Sequence, residues 1–387
     1  MQKIKKYLLF VFLIENLMAQ VTVFHSISNV LFYVFMAIGF VCLFDGRNWS
    51  RESMAKFKWM YILMLIYIVY EFLVGPQFIS SKTLIYLIAK ITTFFIIMTS
   101  LNYNPEFYES KMLFSLAAIV TIFTLYGVFF GGPVDLSERS RLGFGNGNST
   151  GAYGAIISGI VLFYSKYNKL DWKGIVILIV GVFAMLAAGS RGGMLALFML
   201  MFFRYGVSGK IVLAGLVFLL FSIVILPSIG LDTVGMDRLI GTLNGEIGTN
   251  RDLEREAGIW MIQQSPWIGW GFGAKNQGYA LMLSELPSHS GYIEMTKWLG
   301  YPTSIVWFLT IIIPSLAYWK VKRQYRLEMD FFFAMLLVVY AKAMYEVLFT
   351  GVHEFETNFF FFVLAILSSR TNNLKYDKDY TVNTRME

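Results

Sequence analysis

Residues 112–131, MLFSLAAIVTIFTLYGVFFG, decide the class of fold. The run carries no charge. Wound as a helix rising about 1.5 Å per residue, it matches the ~30 Å hydrocarbon layer of a bilayer. Similar runs recur along the chain. Apolar residues make up 57% of its 387 positions and charged residues only 15%, against about 25% in soluble domains. The mean hydropathy is +0.59. So little polar surface would not cover a soluble core of this size. The expected fold is all-α, because a helix satisfies its own backbone in lipid.

Reading outward from that run gives twelve candidate spans, near 7–25, 28–44, 59–75, 84–100, 112–131, 150–165, 174–189, 192–205, 210–228, 295–318, 330–350 and 355–369. The 192–205 run is short and would tilt or borrow flanking residues. The first run follows Lys3, Lys5 and Lys6 as a signal peptide would. No small-residue cleavage site follows it, so it is read as a retained helix. A single membrane domain over 1–387 is expected. With the N-terminus in the cytoplasm, alternate connections collect about two thirds of the 32 Lys and Arg residues. The positive-inside rule then puts both termini in the cytoplasm.

The net charge of +7 does not point to nucleic acid, because the basic residues are scattered over short loops and form no stripe. The single cysteine, Cys42, excludes a disulfide framework and a thiolate zinc site. The three histidines, His25, His289 and His353, are too far apart in sequence to suggest a metal cluster. No pair of corresponding broken segments is evident in the two halves, as many transporters have.

Two outer connections are long, 131–149 and 229–294, and loops of that length usually carry function. The second is the extracytoplasmic loop between the ninth and tenth spans. Basic residues on this side owe nothing to the insertion rule, and they are the informative ones. Arg191 lies in Ala188-Gly189-Ser190-Arg191-Gly192-Gly193. It is either a snorkelling residue at a tight turn or an anion ligand, with Gly192 and Gly193 letting the backbone approach a bulky group. From Asn250 the chain reads as a helix start, with Leu253, Ala257, Trp260 and Met261 on one face, as in a helix lying along the membrane surface. Arg251 and Arg255 share another face. They could form a diphosphate site beside the helix N-terminus, or pair with Asp252, Glu254 or Glu256.

The aromatic turn Pro266-Trp267-Ile268-Gly269-Trp270-Gly271-Phe272-Gly273 could stack on sugar rings or rest in the headgroup belt. His289, in Pro287-Ser288-His289-Ser290-Gly291, is either structural or a general base, with Glu285 and Glu294 near enough in sequence to orient it. His353 is a weaker candidate. Lys342 and Glu346, four apart, are expected to neutralise each other. The glycine-rich run 143–148 follows no strand and is not a nucleotide loop.

Taken in order, Ser190-Arg191-Gly192, the long external loop, Arg251 with Trp260, Pro266, Gly269 and Gly271, and then His289 resemble the O-antigen ligase and polymerase (Wzy-type) superfamily of membrane glycosyltransferases. Arg141-Leu142-Gly143 with Asn146 and Asn148 is similar to that family's arginine-glycine-asparagine stretch. The likeness covers roughly 139–310. The family commonly has His-Asn where this chain has His289-Ser290, which leaves the second position without an assigned role.

The resemblance implies a bacterial cytoplasmic-membrane enzyme with an outward-facing site. It would work without metal or cofactor, with inversion, on undecaprenyl-diphosphate-linked oligosaccharide as donor and acceptor. Arg191, Arg251, Arg255 and Arg141 would hold the diphosphate, and His289 would act on the acceptor hydroxyl. A chain-length regulator and a flippase are further partners it implies. The expected activity is surface-polysaccharide polymerase. Ligase-type transfer to lipid A core is the alternative, and a transporter or flippase the rival from another class, drawing on Glu15, Glu71, Lys90, Lys342 and Glu346.

Overall fold

A computed structural model of the chain describes residues 2–74, 81–131, 140–164, 171–206, 250–275, 287–321 and 327–383. Among the described residues it is all-α, about 82% helical. Among the described residues the only strand-like pairing is an isolated antiparallel bridge between Val21 and Phe144. In chain order the helices are α1 (Gln2–Ala19), α2 (His25–Leu43), α3 (Arg51–Lys56), α4 (Lys58–Val74), α5 (Ser81–Tyr103), α6 (Met112–Phe130), α7 (Gly147–Tyr164), α8 (Trp172–Ala187), α9 (Arg191–Tyr205), α10 (Asn250–Gln264), α11 (Gly291–Val321), α12 (Leu327–Lys342) and α13 (Phe355–Asn383).

Among the described residues, four helical stretches are long and apolar enough to cross a membrane: Thr22–Leu43, Thr83–Tyr103, Met112–Phe130 and Gly291–Lys320. The α8 helix and the Gly192–Tyr205 part of α9 are apolar but shorter. The candidate span at 210–228 lies outside the described residues, as do 229–249 and 276–286 of the long loop. The candidate at 330–350 is cut short: α12 ends at Lys342 and the chain turns through 343–354. The carbonyls released there have takers, since Gly291 N donates to Ala343 O at 2.8 Å and to Glu346 O at 3.0 Å.

The chain sorts into two compact units. The first comprises Met1–Leu13, Val30–Pro105 and Thr249–Glu387; the second comprises Ile14–Asn29 and Glu106–Gly248. In the second, α7, α8 and α9 pack at glycine-sized distance. A β-carbon on Gly154 would lie 2.5 Å from Gly181 O, and one on Gly193 2.5 Å from Gly151 O. Small residues allow such approach, and in lipid the packing itself drives association.

In the first unit, α11 breaks at Gly300 (φ 68°, ψ 172°), and Pro302 begins the next turn. The turn 266–273 docks on this break through its backbone. Trp270 N donates to Lys297 O and Gly271 N to Trp298 O, each at 3.0 Å, and Tyr301 N donates to Pro266 O at 2.7 Å. Bare glycine makes this possible, because a β-carbon on Gly269 would fall 2.3 Å from Trp298 O.

Candidate functional site

In the second unit the structure gathers two of the sequence-predicted arginine segments. Ser190 caps α9, its hydroxyl accepting from Gly193 N at 3.2 Å, so Arg191 occupies the first helical position. The segment carrying Arg141 is tied to the same region. Ser140 N donates to Ala187 O at 2.9 Å, and Thr150 Oγ1 donates to Arg141 O at 2.9 Å. A β-carbon on Gly151 would lie 2.1 Å from that of Ser190. The backbone of Arg141, the first turn of α7 and the N-terminus of α9 therefore converge. Arg141 itself is exposed. Uncompensated N–H groups at helix N-termini favour anions. One expectation changes: the space over Gly193 is filled by the backbone of Gly151, so this glycine serves helix packing and not the approach of a ligand.

In the first unit, the other half of the predicted set comes together. Arg251 and Arg255 lie on the first turns of α10, and His289 lies in the turn before α11. The two elements meet where Gly258 leaves room for Ser288. His289 Nε2 is 3.0 Å from Glu254 Oε2, the histidine 26% and the glutamate 5% exposed at the side chain. Arg255, one residue on, donates from Nη2 to Met344 O, and its guanidinium lies 5.3 Å from the centre of the Tyr345 ring.

His289 has φ +44°. A side chain bearing a β-carbon adopts this left-handed region at a cost of order 1–3 kcal/mol, so the turn must be held from outside. It is. Ser288 N donates to Glu294 Oε2 at 3.0 Å, and Glu294 Oε1 pairs at 2.7 Å with Lys297 Nζ, which is fully buried. Gly291 N is fixed on the carbonyls released after α12, as described above. An imidazole held on both chain sides, beside a buried carboxylate, is suited to moving a proton at a fixed place.

Two expectations about partners need correction. Lys342 pairs with Glu356 across a turn and not with Glu346, because the end of α12 brings the α13 start closer than the helix's own next turn. Glu254 faces inward with Ala257 and Met261, both 1% exposed, and meets His289. Leu253 is correspondingly exposed, so the buried face of α10 is rotated from the one expected. Of the carboxylates expected to orient His289, Glu294 holds its neighbour's backbone, and Glu285 lies outside the described residues. His353 stacks on Phe32, ring centres 4.4 Å apart.

The aromatic turn divides its work. Phe272 is buried against Tyr67, Tyr70, Tyr86 and Trp298 and is part of the core. Trp267 is 75% exposed and remains available to a sugar or a headgroup. Sequence reasoning missed Lys297 and the partner of Glu254. A signal was present for the second: an acid three residues before Ala257 and seven before Met261, on an otherwise apolar stripe.

Comparison with known protein families found no matching model, and comparison with curated proteins found no match in sequence. The functional reading therefore rests on the chemistry of the residues.

Proposed function

We propose that the protein is a membrane glycosyltransferase of the surface-polysaccharide polymerase type. It would transfer undecaprenyl-diphosphate-linked glycan to a hydroxyl of a lipid-linked repeat unit on the outer face of the bacterial cytoplasmic membrane. The observation that carries this reading is the placement of His289 against the helix that bears Arg251 and Arg255, with its ring 3.0 Å from Glu254. A base beside a helix that carries two arginines suits transfer from a diphosphate.

In the proposed step the acceptor oxygen attacks the anomeric carbon as His289 takes its proton. The bond from that carbon to the diphosphate oxygen breaks, and the electron pair leaves with the diphosphate. Arg251 and Arg255 neutralise the charge that develops, as preorganised donors do. Direct displacement inverts the anomeric centre.

Incubating purified protein with lipid-linked repeat units should give a ladder of lengthening products. A deletion strain separates polymerase from ligase: single repeat units at the surface support the polymerase, and long unattached lipid-linked polymer overturns it. The transporter reading would draw on Lys90, buried in α5. That lysine is committed, donating to Gly351 O and lying 4.9 Å from the centre of the Phe361 ring. Substrate crossing reconstituted vesicles without bond formation would favour transport over this proposal.

A further inference from the structure

We propose that Lys90 is a positioning residue for His289 and acts through the segment 343–354. The proposal rests on the reading of His289 as a base. It assigns what that reading leaves open: which group deep in the bundle fixes the support on which the histidine turn rests.

The first argument is the burial of the lysine. Lys90 is 0% exposed, midway along α5. Its Nζ donates to Gly351 O and lies 4.9 Å from the centre of the Phe361 ring and 5.5 Å from that of Tyr86. An amine out of water is unfavourable whether it keeps its charge or sheds its proton, so a lysine inside a membrane bundle needs a reason. Packing supplies none, because methionine is nearly as long and carries no polar group. Glu354 acts on Lys90 electrostatically, yet among the described residues the hydrogen bond Lys90 makes is to a carbonyl and not to a carboxylate.

The second argument is where that bond goes. Neighbouring carbonyls of the segment are served from nearby in sequence: Thr357 Oγ1 donates to Leu348 O at 2.8 Å, and Asn358 Nδ2 to Val352 O at 3.0 Å. Gly351 O is served by a residue 261 positions away. The bond from Lys90 therefore ties α5 to a segment whose local partners lie on α13.

The third argument is the path from Gly351 to the histidine. Two residues before Gly351, Phe349 packs on the start of α11. A β-carbon on Gly291 would lie 3.0 Å from the Phe349 ring, and the ring centres of Phe349 and Tyr292 are 5.6 Å apart. Gly291 N is held by Ala343 O and Glu346 O of the same segment. His289 stands two residues before Gly291, at φ +44°, where the backbone needs outside support. A displacement of Gly351 thus reaches the histidine turn through one aromatic ring. Arg255 depends on Lys90 less, because it meets the segment at Met344, next to the end of α12.

The test uses the full chain in nanodiscs with Lys90→Met and Lys90→Gln. Amide hydrogen exchange in 343–354 should quicken up to about tenfold in Lys90→Met, the factor one net hydrogen bond supplies. Its kcat should fall about tenfold or more, as for misplaced reacting groups, with KM for the lipid-linked repeat unit near that of the unaltered chain. Its melting temperature should hold or rise, since an amine has left an apolar site. Lys90→Gln keeps a donor for Gly351 O and should recover part of the kcat and slow the exchange again.

Unchanged exchange in Lys90→Met overturns the anchorage, and faster exchange with full kcat overturns the link to His289. A large fall in melting temperature, or failure to fold, also overturns the proposal, because Lys90 would then hold the fold and not the site. Full activity in His289→Ala, with exchange still quickened by Lys90→Met, would instead overturn the base reading and leave the anchorage standing.

Discussion

Gly258 and Ser288 are packed so closely that no side chain fits between them. A β-carbon on Gly258 would lie 2.3 Å from Ser288 Oγ and 2.7 Å from Ile293 Cγ2. This contact sets the distance between the arginine helix and the histidine turn. Gly258→Val should push the turn away, with a strain of about 1–3 kcal/mol as in other overpacked cores. Product ladders should shorten or vanish while membrane abundance stays near normal. Unchanged ladders would show that this contact does not hold the site.

Arginine replacements should separate binding from structure. Alanine at Arg191 or Arg251 should abolish product at near-normal abundance, and lysine should perform poorly because it lacks the planar, bidentate fork. Arg255→Ala should lower thermal stability as well, since its guanidinium also holds Met344 O. Full polymer length in both the Arg191 and Arg251 alanine variants would remove the diphosphate role.

Lys297→Met would leave Glu294 buried without its cation. Breaking a buried pair in this way typically costs about 3–5 kcal/mol. Melting of the purified protein should fall markedly, and adding Glu294→Gln should recover much of the loss. Equal melting of single and double variants would argue against a coupled pair.

The link between Lys5 and Asp45, 2.6 Å apart, predicts a pH dependence. Its hydrogen bond to Asp45 holds the Lys5 ammonium above the usual lysine range. Burial works against ionising Asp45, but Lys5 and the Arg47 N–H outweigh it and keep the carboxyl below its ordinary value. The Asp45 contribution is therefore present above about pH 3.9 and lost as pH falls through its lowered folded value. The Lys5 contribution is present below about pH 10.4 and lost as pH rises through its raised one. Asp45→Asn should flatten the acid limb of a stability-against-pH curve.

Topology is open to labelling, because the single native cysteine, Cys42, is buried. Cysteines introduced at 191, 251 and 289 should react with a membrane-impermeant reagent added outside spheroplasts. Reaction only after permeabilisation would reverse the proposed orientation.

The all-α class and the apolar runs near 28–44, 84–100, 112–131 and 295–318 were legible because hydropathy is a local property, summed along one segment. The cap at Ser190 and the helix from Asn250 were legible for the same reason. Partner choice was not. Lys342 has Glu346 on its own helical face, yet it meets Glu356, which a turn delivers. Glu254 reads in sequence as an acid on a solvated helix, yet the rotation of α10 turns it inward to His289. Gly193 beside an arginine suggests a ligand until Gly151 fills its place. In each case tertiary packing outbid the nearest residue in sequence.

The interruption at Gly300 has a consequence for how such a chain can change over generations. The segment 266–273 is moored to α11 largely by amide and carbonyl groups, which most residue types supply alike. Apart from its glycines, Phe272 and Trp270, whose indole N–H donates to Met261 O, that strap can exchange side chains without losing its anchorage, so the surface it presents can diversify while the scaffold beneath it stays constant.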